Sequence, residues 1–149
     1  MTPLAQITLA LDTPVKVAEV NELTSCVHRI DDIGASISTG SFRTAGMLVA
    51  PYSVRTMSEV ATSVTSSLLT RAADVVLKDR RRQVLMVRET PLHLGHLRTM
   101  ASLAEISAVM MPPVPALYAK PASIEDMVTH SVGRALDLFD IDTNRNQRI

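Results

Sequence analysis

The sequence has 149 residues and no net charge, because 15 Lys and Arg are balanced by 15 Asp and Glu. This balance argues against nucleic acid or an anionic membrane surface as a partner. A single cysteine excludes an intramolecular disulfide and fits a cytoplasmic protein. No apolar stretch approaches the ~18–20 residues that span a bilayer. We expect one soluble domain over residues 1–149, with residues 142–149 as a frayed tail.

The first third of the chain predicts one clear strand. Residues 1–13 have apolar side chains spaced for either a helix end or a strand, and Pro14 ends that element. Residues 15–23 predict a short helix, and the small-residue segment 33–41 predicts a flexible loop. The apolar run GMLVA at 46–50 predicts a buried strand that the following proline ends.

The remainder of the chain alternates helical and strand patterns. The expected elements are a helix from about Thr56, a helix over 67–79, a strand over 83–88, a helix over 94–106, a strand over 108–111 and a helix that begins after Ser123. In the last helix, Ile124, Val128 and Val132 belong to an apolar stripe that predicts packing on a sheet. This alternation predicts an α/β fold with a right-handed, parallel, doubly wound sheet.

A polar pair follows the second predicted strand. Arg88 and Glu89 come directly after an apolar run, and open α/β sheets bind ligands at the carboxyl ends of their strands. Glu89 is a candidate acid/base group with Arg88 as its charge partner. An ion pair without a catalytic role explains the same residues.

A second polar segment, Ser53–Thr56, lies between a predicted strand and a helix start. Free backbone N–H groups, hydroxyls and the helix dipole favour an anion at such a place. Simple N-capping of the helix is the alternative.

Two other groups are weaker candidates. Arg71 and Lys78 are seven residues apart on one helix face and could bind a phosphate, or they could form a solvated basic face. His93 and His96 are spaced for a metal, but no third ligand has a suitable spacing, so ordinary helix positions and no metal are expected.

Four motifs together resemble one known family. They are LLTRAADVVLKDRR at 68–81, VRETPLHLGHLRTM at 87–100, MPPVPALY at 111–118 and DMVTHSVGRALD at 126–137. The chain resembles the UbiX-type flavin prenyltransferases, within the FMN-binding flavoproteins, from about Leu4 to Ile141. The resemblance implies a flavodoxin-like or Rossmann-like sheet with helices on both faces. It also implies that the family's first βαβ portion, with its Gly-Ser loop, has no counterpart here, which would leave the 46–50 strand with an unpaired edge.

The resemblance implies an activity and partners. Family members join a dimethylallyl group from dimethylallyl phosphate to N5 and C6 of reduced FMN, without a metal. The prenylated FMN serves a UbiD-type decarboxylase, and ubiquinone biosynthesis is an associated pathway. The family forms homododecamers with flavin sites at subunit interfaces. The alternatives are a truncated or non-catalytic FMN-binding homologue and an FMN-dependent aromatic-acid decarboxylase.

The resemblance also assigns site residues. The expected flavin contacts are Ser53, Val54, Arg55, Thr56, Arg88, Ser38 and Ser41. The expected catalytic residues are Glu89, Lys78 and Asp12. The expected prenyl-phosphate residues are Tyr118, Arg134 and Arg71, with Lys78 beside them. Arg55 stands where lysine is commoner, which keeps the charge and changes the donor geometry. Thr2 falls at the position of a flavin-contacting serine.

Overall fold

The computed structural model of the chain describes residues 1–143, so the expected tail at 142–149 lies mostly outside the described residues. The helices are α1 (Pro3–Asp12), α2 (Val17–Glu22), α3 (Val54–Ala61), α4 (Leu68–Lys78), α5 (Leu94–Glu105) and α6 (Ile124–Asp137). The strands are β1 (Gly46–Tyr52), β2 (Arg82–Val87) and β3 (Ala108–Met110). Single 3₁₀ turns lie at Ser36–Ser38 and Leu117–Ala119. None of the helices within residues 1–143 has the length and apolar character to cross a bilayer.

The three strands form one parallel sheet in the order β1-β2-β3. Helices α3 and α4 connect β1 to β2, and α5 connects β2 to β3. Gln83, Val84, Leu85, Met86 and Val87 are all buried, so both faces of β2 are covered. The predicted α/β fold with a parallel sheet and helices on both faces is therefore confirmed.

The outer edge of β1 has no strand partner within the described part of the chain, as the sequence predicted. An apolar cavity of about 370 Å³ lies along this edge, with Met47, Leu48 and Ala72 in its wall. The prediction that Pro51 ends the strand is wrong, because β1 continues to Tyr52. An edge strand tolerates a residue without an N–H, and the register shifts between Val49 and Tyr52.

Serine hydroxyls fix where three of the helices begin. The side chains of Ser53, Ser67 and Ser123 accept backbone N–H groups from the first turns of α3, α4 and α6. Such caps satisfy donors that have no partner inside the helix. The helix that was expected from about Thr56 therefore begins two residues earlier, at Val54, with Ser53 as its N-cap.

The apolar stripe of α6 does not pack on the sheet as predicted. Ile124, Val128 and Val132 are 79 %, 56 % and 45 % exposed, whereas Ala135 near the C-terminal end of the helix is buried. Helices α1 and α2 bury no residue at all. Amphipathic spacing identifies an apolar face but does not show what covers it. These helices present apolar faces that are uncovered in a single chain.

Gly46 has a backbone conformation that other residues rarely adopt, with φ of +150°. A Cβ at this position would overlap the backbone carbonyl of Arg82 and lie 2.7 Å from a ring carbon of Phe139. We expect Gly46→Ala to lower the free energy of unfolding by about 3 kcal/mol, since backbone strain adds to overpacking. Gly34→Ala is the control, because its Cβ would meet the nearest atom at an ordinary 3.6 Å. Equal stabilities of the two variants in denaturant unfolding would contradict this account.

Candidate functional site

The carboxyl ends of β1 and β2 bring two predicted polar segments together. Tyr52 pairs with Val87 across the parallel ladder, so the chain leaves both strands at the same level. Ser53 and Arg88 come next, and paired strands lie ~4.8 Å apart. Glu89 follows Arg88, and both side chains are exposed. The structure therefore places these segments side by side at one edge of the sheet.

Three helices begin at the wall of one cavity on this edge, which has a volume of about 380 Å³. The cavity is lined by the N-cap residues Thr2, Ser53 and Ser67, which begin α1, α3 and α4. Their hydroxyls accept first-turn N–H groups at 3.2, 3.3 and 3.3 Å, respectively. Helix starts have spare N–H donors and the positive end of the helix dipole, so three of them together favour an anion.

The walls of this helix-start cavity differ in chemistry. Leu4, Ile30 and Leu69 form an apolar part, and the basic side chain of Arg55 lies on the polar part. Ligand sites of a few hundred Å³ typically combine apolar walls with a few directed polar groups. The cavity therefore fits a ligand that combines an apolar ring system with an anionic tail, which is the chemistry of FMN.

Glu59 on the same wall is held by two donors. Arg55 Nε donates to one carboxylate oxygen at 3.0 Å, and Ser66 Oγ donates to the other at 2.9 Å. The hydrogen bond from Arg55, followed by that from Ser66, lowers the pKa of the Glu59 carboxyl below its ordinary value. Glu59 is therefore ionised at neutral pH.

Helix α6 ends at the opposite, amino edge of the sheet. Arg82, the first residue of β2, donates from its guanidinium to the backbone carbonyl of Leu138. The ring of Phe139 lies against the first residue of β1. Arg134 is about one helical turn before Leu138 and forms an ion pair with Asp137 at 3.1 Å. Arg134 therefore belongs to the amino edge.

Lys78 also lies at the amino edge, because it ends α4 and residues 79–81 alone separate it from β2. The six residues of β2 span ~20 Å between this edge and the carboxyl edge. Glu89 lies beyond the far end of β2. A single chain therefore does not bring Lys78 or Arg134 to Glu89.

Tyr118 lies outside the helix-start cavity. Its side chain is 70 % exposed, and its ring meets that of His130 on α6 edge-on at 6.0 Å. A second cavity of about 520 Å³ lies here, with Lys120 and Asp126 among its lining residues. This cavity therefore has aromatic, basic and acidic side chains in its wall, and the expected role of Tyr118 in holding the prenyl phosphate stays a prediction.

Asp12 and Arg71 differ in their distance from the helix-start cavity. Asp12 ends the ten-residue helix α1, so ~15 Å separates it from Thr2 at the helix-start cavity. Arg71 lies in the first turn of α4, four residues after Ser67, and pairs with Asp74 at 3.7 Å. Within one chain, Arg71 is near the helix-start cavity and Asp12 is not.

The serine segment predicted as a flexible flavin loop is held at the amino edge. Ser38 is buried, and the Arg81 guanidinium donates to the backbone carbonyls of Gly40 and Phe42. Ser41 is exposed, with its hydroxyl 3.2 Å from that of Thr39. Arg81 thus supplies donors to carbonyls that the loop leaves unpaired, and the expected contact of this segment with a flavin stays a prediction.

His93 has a structural role that the sequence did not predict. Its Nδ1 accepts the backbone N–H groups of Gly95 and His96 at 3.0 and 3.4 Å, so it caps α5. Its ring stacks on that of His96 with 3.6 Å between centroids. Within residues 1–143, no group of three or more His, Cys, Asp or Glu side chains has a metal-binding arrangement.

Sequence reasoning missed Glu59, Ser66 and Ser67 as part of this edge. The pattern Ser67-x-x-Thr70 before an apolar run is a helix-start signal that could have indicated Ser67. No local pattern indicates Glu59 or Ser66, because their grouping depends on how α3 and α4 pack.

Comparisons with known proteins identify relatives over nearly the whole chain. The Flavoprotein family model matches residues 5–136. The flavin prenyltransferase UbiX of Escherichia coli K12 is 55 % identical over 141 residues, which are 95 % of this chain and 75 % of that protein. The flavin prenyltransferase UbiX of Thauera aromatica is 51 % identical over 144 residues, which are 97 % of this chain and 74 % of that protein.

Two solved structures superimpose on the whole chain. AnUbiX (PadA1), in complex with FMN and dimethylallyl pyrophosphate, has a TM-score of 0.98 and 46 % identity over 79 % of its own chain. A dodecameric FMN-dependent UbiX-like decarboxylase from Escherichia coli O157:H7 has a TM-score of 0.97 and 40 % identity over 80 % of its own chain. The chain therefore belongs to the Flavoprotein family and, within it, to the UbiX-type flavin prenyltransferases.

Proposed function

We propose that this chain transfers the dimethylallyl group of dimethylallyl phosphate to reduced FMN. The observation that supports this most directly is the cavity where α1, α3 and α4 begin, beside Arg88 and Glu89. The names of the relatives and the ligands of AnUbiX support the same reaction.

Binding of FMN would use the polar and apolar parts of the helix-start cavity. The hydroxyls of Ser53 and Thr56, the neighbouring N–H groups and the guanidiniums of Arg55 and Arg88 would hold its polar and anionic groups. Val54, which begins α3, contributes its backbone to the same helix start. The apolar wall would hold the ring system.

The chemistry requires a leaving group and a proton carrier. The allylic C–O bond would break with its electron pair on phosphate, and the allyl carbon would bond to N5 of reduced FMN, which gives up its proton. The bond to C6 would form as the prenyl double bond takes up a proton and C6 loses its own. Lys78, Tyr118 and Arg134 would stabilise the departing phosphate by charge and hydrogen bonding. Glu89 would move protons between the reacting atoms as the acid/base group.

Because Lys78 and Arg134 lie at the amino edge, we propose that they reach Glu89 from a neighbouring copy. The dodecameric UbiX-like structure and the exposed apolar face of α6 support a homo-oligomer, with a homododecamer as the proposed form. The same arrangement would bring Ser38, Ser41 and Asp12 toward a neighbour's flavin. In this proposal the active site is incomplete in one copy.

Other expectations stay predictions. We propose a UbiD-type decarboxylase as the recipient of the prenylated FMN. The cytoplasmic location and the single domain over residues 1–149 rest on composition and length alone.

The test is to incubate the protein with reduced FMN and dimethylallyl phosphate, or the pyrophosphate, and to measure the mass of the flavin product. We expect a gain of one dimethylallyl group and release of the phosphate. An unchanged flavin with loss of CO₂ from an added aromatic acid would instead support the decarboxylase. FMN binding without either product would support a non-catalytic homologue.

Ser53→Ala should have two effects. Loss of the N-cap should lower the free energy of unfolding by about 1 kcal/mol, and loss of a hydroxyl in the cavity should weaken FMN binding. Ser123→Ala removes an equivalent cap from α6 and should leave FMN affinity unchanged. Thermal unfolding and flavin titration measure the two effects, and equal FMN affinities of both variants would argue against flavin binding at Ser53.

A further inference from the structure

Arg55 and Glu59 form a hydrogen-bonded ion pair on the wall of the helix-start cavity. The Arg55 side chain is 84 % exposed and that of Glu59 is 19 % exposed. Glu59 also accepts from Ser66, one residue before the N-cap of α4. The carboxylate therefore connects the first turn of α3 to the segment that begins α4.

The geometry leaves part of Arg55 available. Its Nε is occupied by Glu59, whereas its two terminal amino groups have no acceptor within the described residues. A guanidinium is planar, so a fixed Nε restricts the directions in which the terminal groups donate. Such a fork can give two parallel hydrogen bonds to a phosphate.

We propose that Glu59 is a positioning residue that holds Arg55 toward the phosphate of the bound flavin. This inference rests on the proposed function, because it takes FMN as the ligand of this cavity. Without Glu59, Arg55 would be a long, exposed side chain free to occupy many rotamers, and ordering it would oppose binding.

A merely structural role makes a different prediction. An exposed Arg–Glu pair at i, i+4 stabilises a helix by about 0.3–0.5 kcal/mol and has no effect on a ligand. A positioning role acts through Arg55 and concerns the phosphate. Riboflavin, which is FMN without its phosphate, separates the two roles.

The experiment measures FMN and riboflavin affinity for Glu59→Ala, with and without Arg55→Ala. We expect Glu59→Ala to weaken FMN binding about tenfold, the worth of one charge-assisted hydrogen bond. Riboflavin affinity should not change, and Glu59→Ala should have little further effect when Arg55 is already alanine. Glu59→Gln, which keeps an acceptor for Arg55, should recover part of the FMN affinity.

Asp31→Ala is the matched control, because Asp31 forms an exposed pair with Arg29 at 2.7 Å outside this cavity. It should leave FMN affinity unchanged. Equal FMN affinities of wild type and Glu59→Ala, or equal losses for FMN and riboflavin, would overturn the positioning role while the proposed function stands. Absence of FMN binding to the wild type would overturn the proposed function as well.

Discussion

Glu89→Gln is expected to slow prenyl transfer by ~10²–10⁴, the usual contribution of a general acid/base. Glutamine preserves the size and an acceptor oxygen but cannot exchange a proton. Because Glu89 follows Arg88 and does not line the helix-start cavity, FMN affinity should stay near that of the wild type. Single-turnover kinetics with saturating FMN measure the chemical step directly.

The control for Glu89 is Glu105→Gln, the same substitution on an exposed side chain at the end of α5. It should leave both the rate and the FMN affinity unchanged. If Glu89→Gln turns over as fast as Glu105→Gln, Glu89 does not carry the proton.

Arg134→Ala is expected to raise the KM for dimethylallyl phosphate ~10–100-fold, because a hydrogen bond to a charged group contributes about 1.5–3 kcal/mol. FMN affinity should not change, since Arg134 lies at the edge of the sheet opposite the helix-start cavity. The measurement compares steady-state kinetics in the prenyl substrate with a flavin titration of the same variant.

Arg43→Ala removes another exposed arginine and serves as the control for Arg134. It should keep the wild-type KM. A loss of FMN affinity in Arg134→Ala as large as the rise in KM would place Arg134 in the flavin site instead.

The grouping at the carboxyl edge could be predicted from the sequence. Ser53 and Arg88 each follow an apolar strand run, and parallel strands end at a common edge. The pairing of Tyr52 with Val87 then determines that the two segments are neighbours. Local strand patterns and one topological rule were sufficient for this part of the site.

The places of Ser67 and Glu59 at the helix-start cavity could not be predicted in the same way. Ser67 has a recognisable capping pattern, but its place beside Thr2 and Ser53 depends on packing between elements distant in sequence. Glu59 joins the site through Ser66, seven residues away and beyond the end of α3. Sequence spacing indicates neighbours on one helix and does not indicate such contacts.

The contacts at the amino edge of the sheet were even less predictable from the sequence. Arg81 holds the serine loop through carbonyls about forty positions earlier, which is a contact without a sequence pattern. The stripe of α6 predicts an apolar face correctly but not its exposure in a single chain. The resemblance grouped Arg134 with Glu89, whereas the length of β2 separates their edges within one copy.

The measurement that tests the assembled site most directly mixes two variants that are each expected to be impaired. Glu89→Gln and Arg134→Ala chains are produced together, so that oligomers contain both, and prenyl transfer is assayed at a limiting concentration of dimethylallyl phosphate. If the residues of one site come from two copies, random mixing restores an intact pair in about one quarter of the sites. Activity near that fraction of the wild type is the predicted result. A mixture no more active than the separate variants would contradict a site formed between copies.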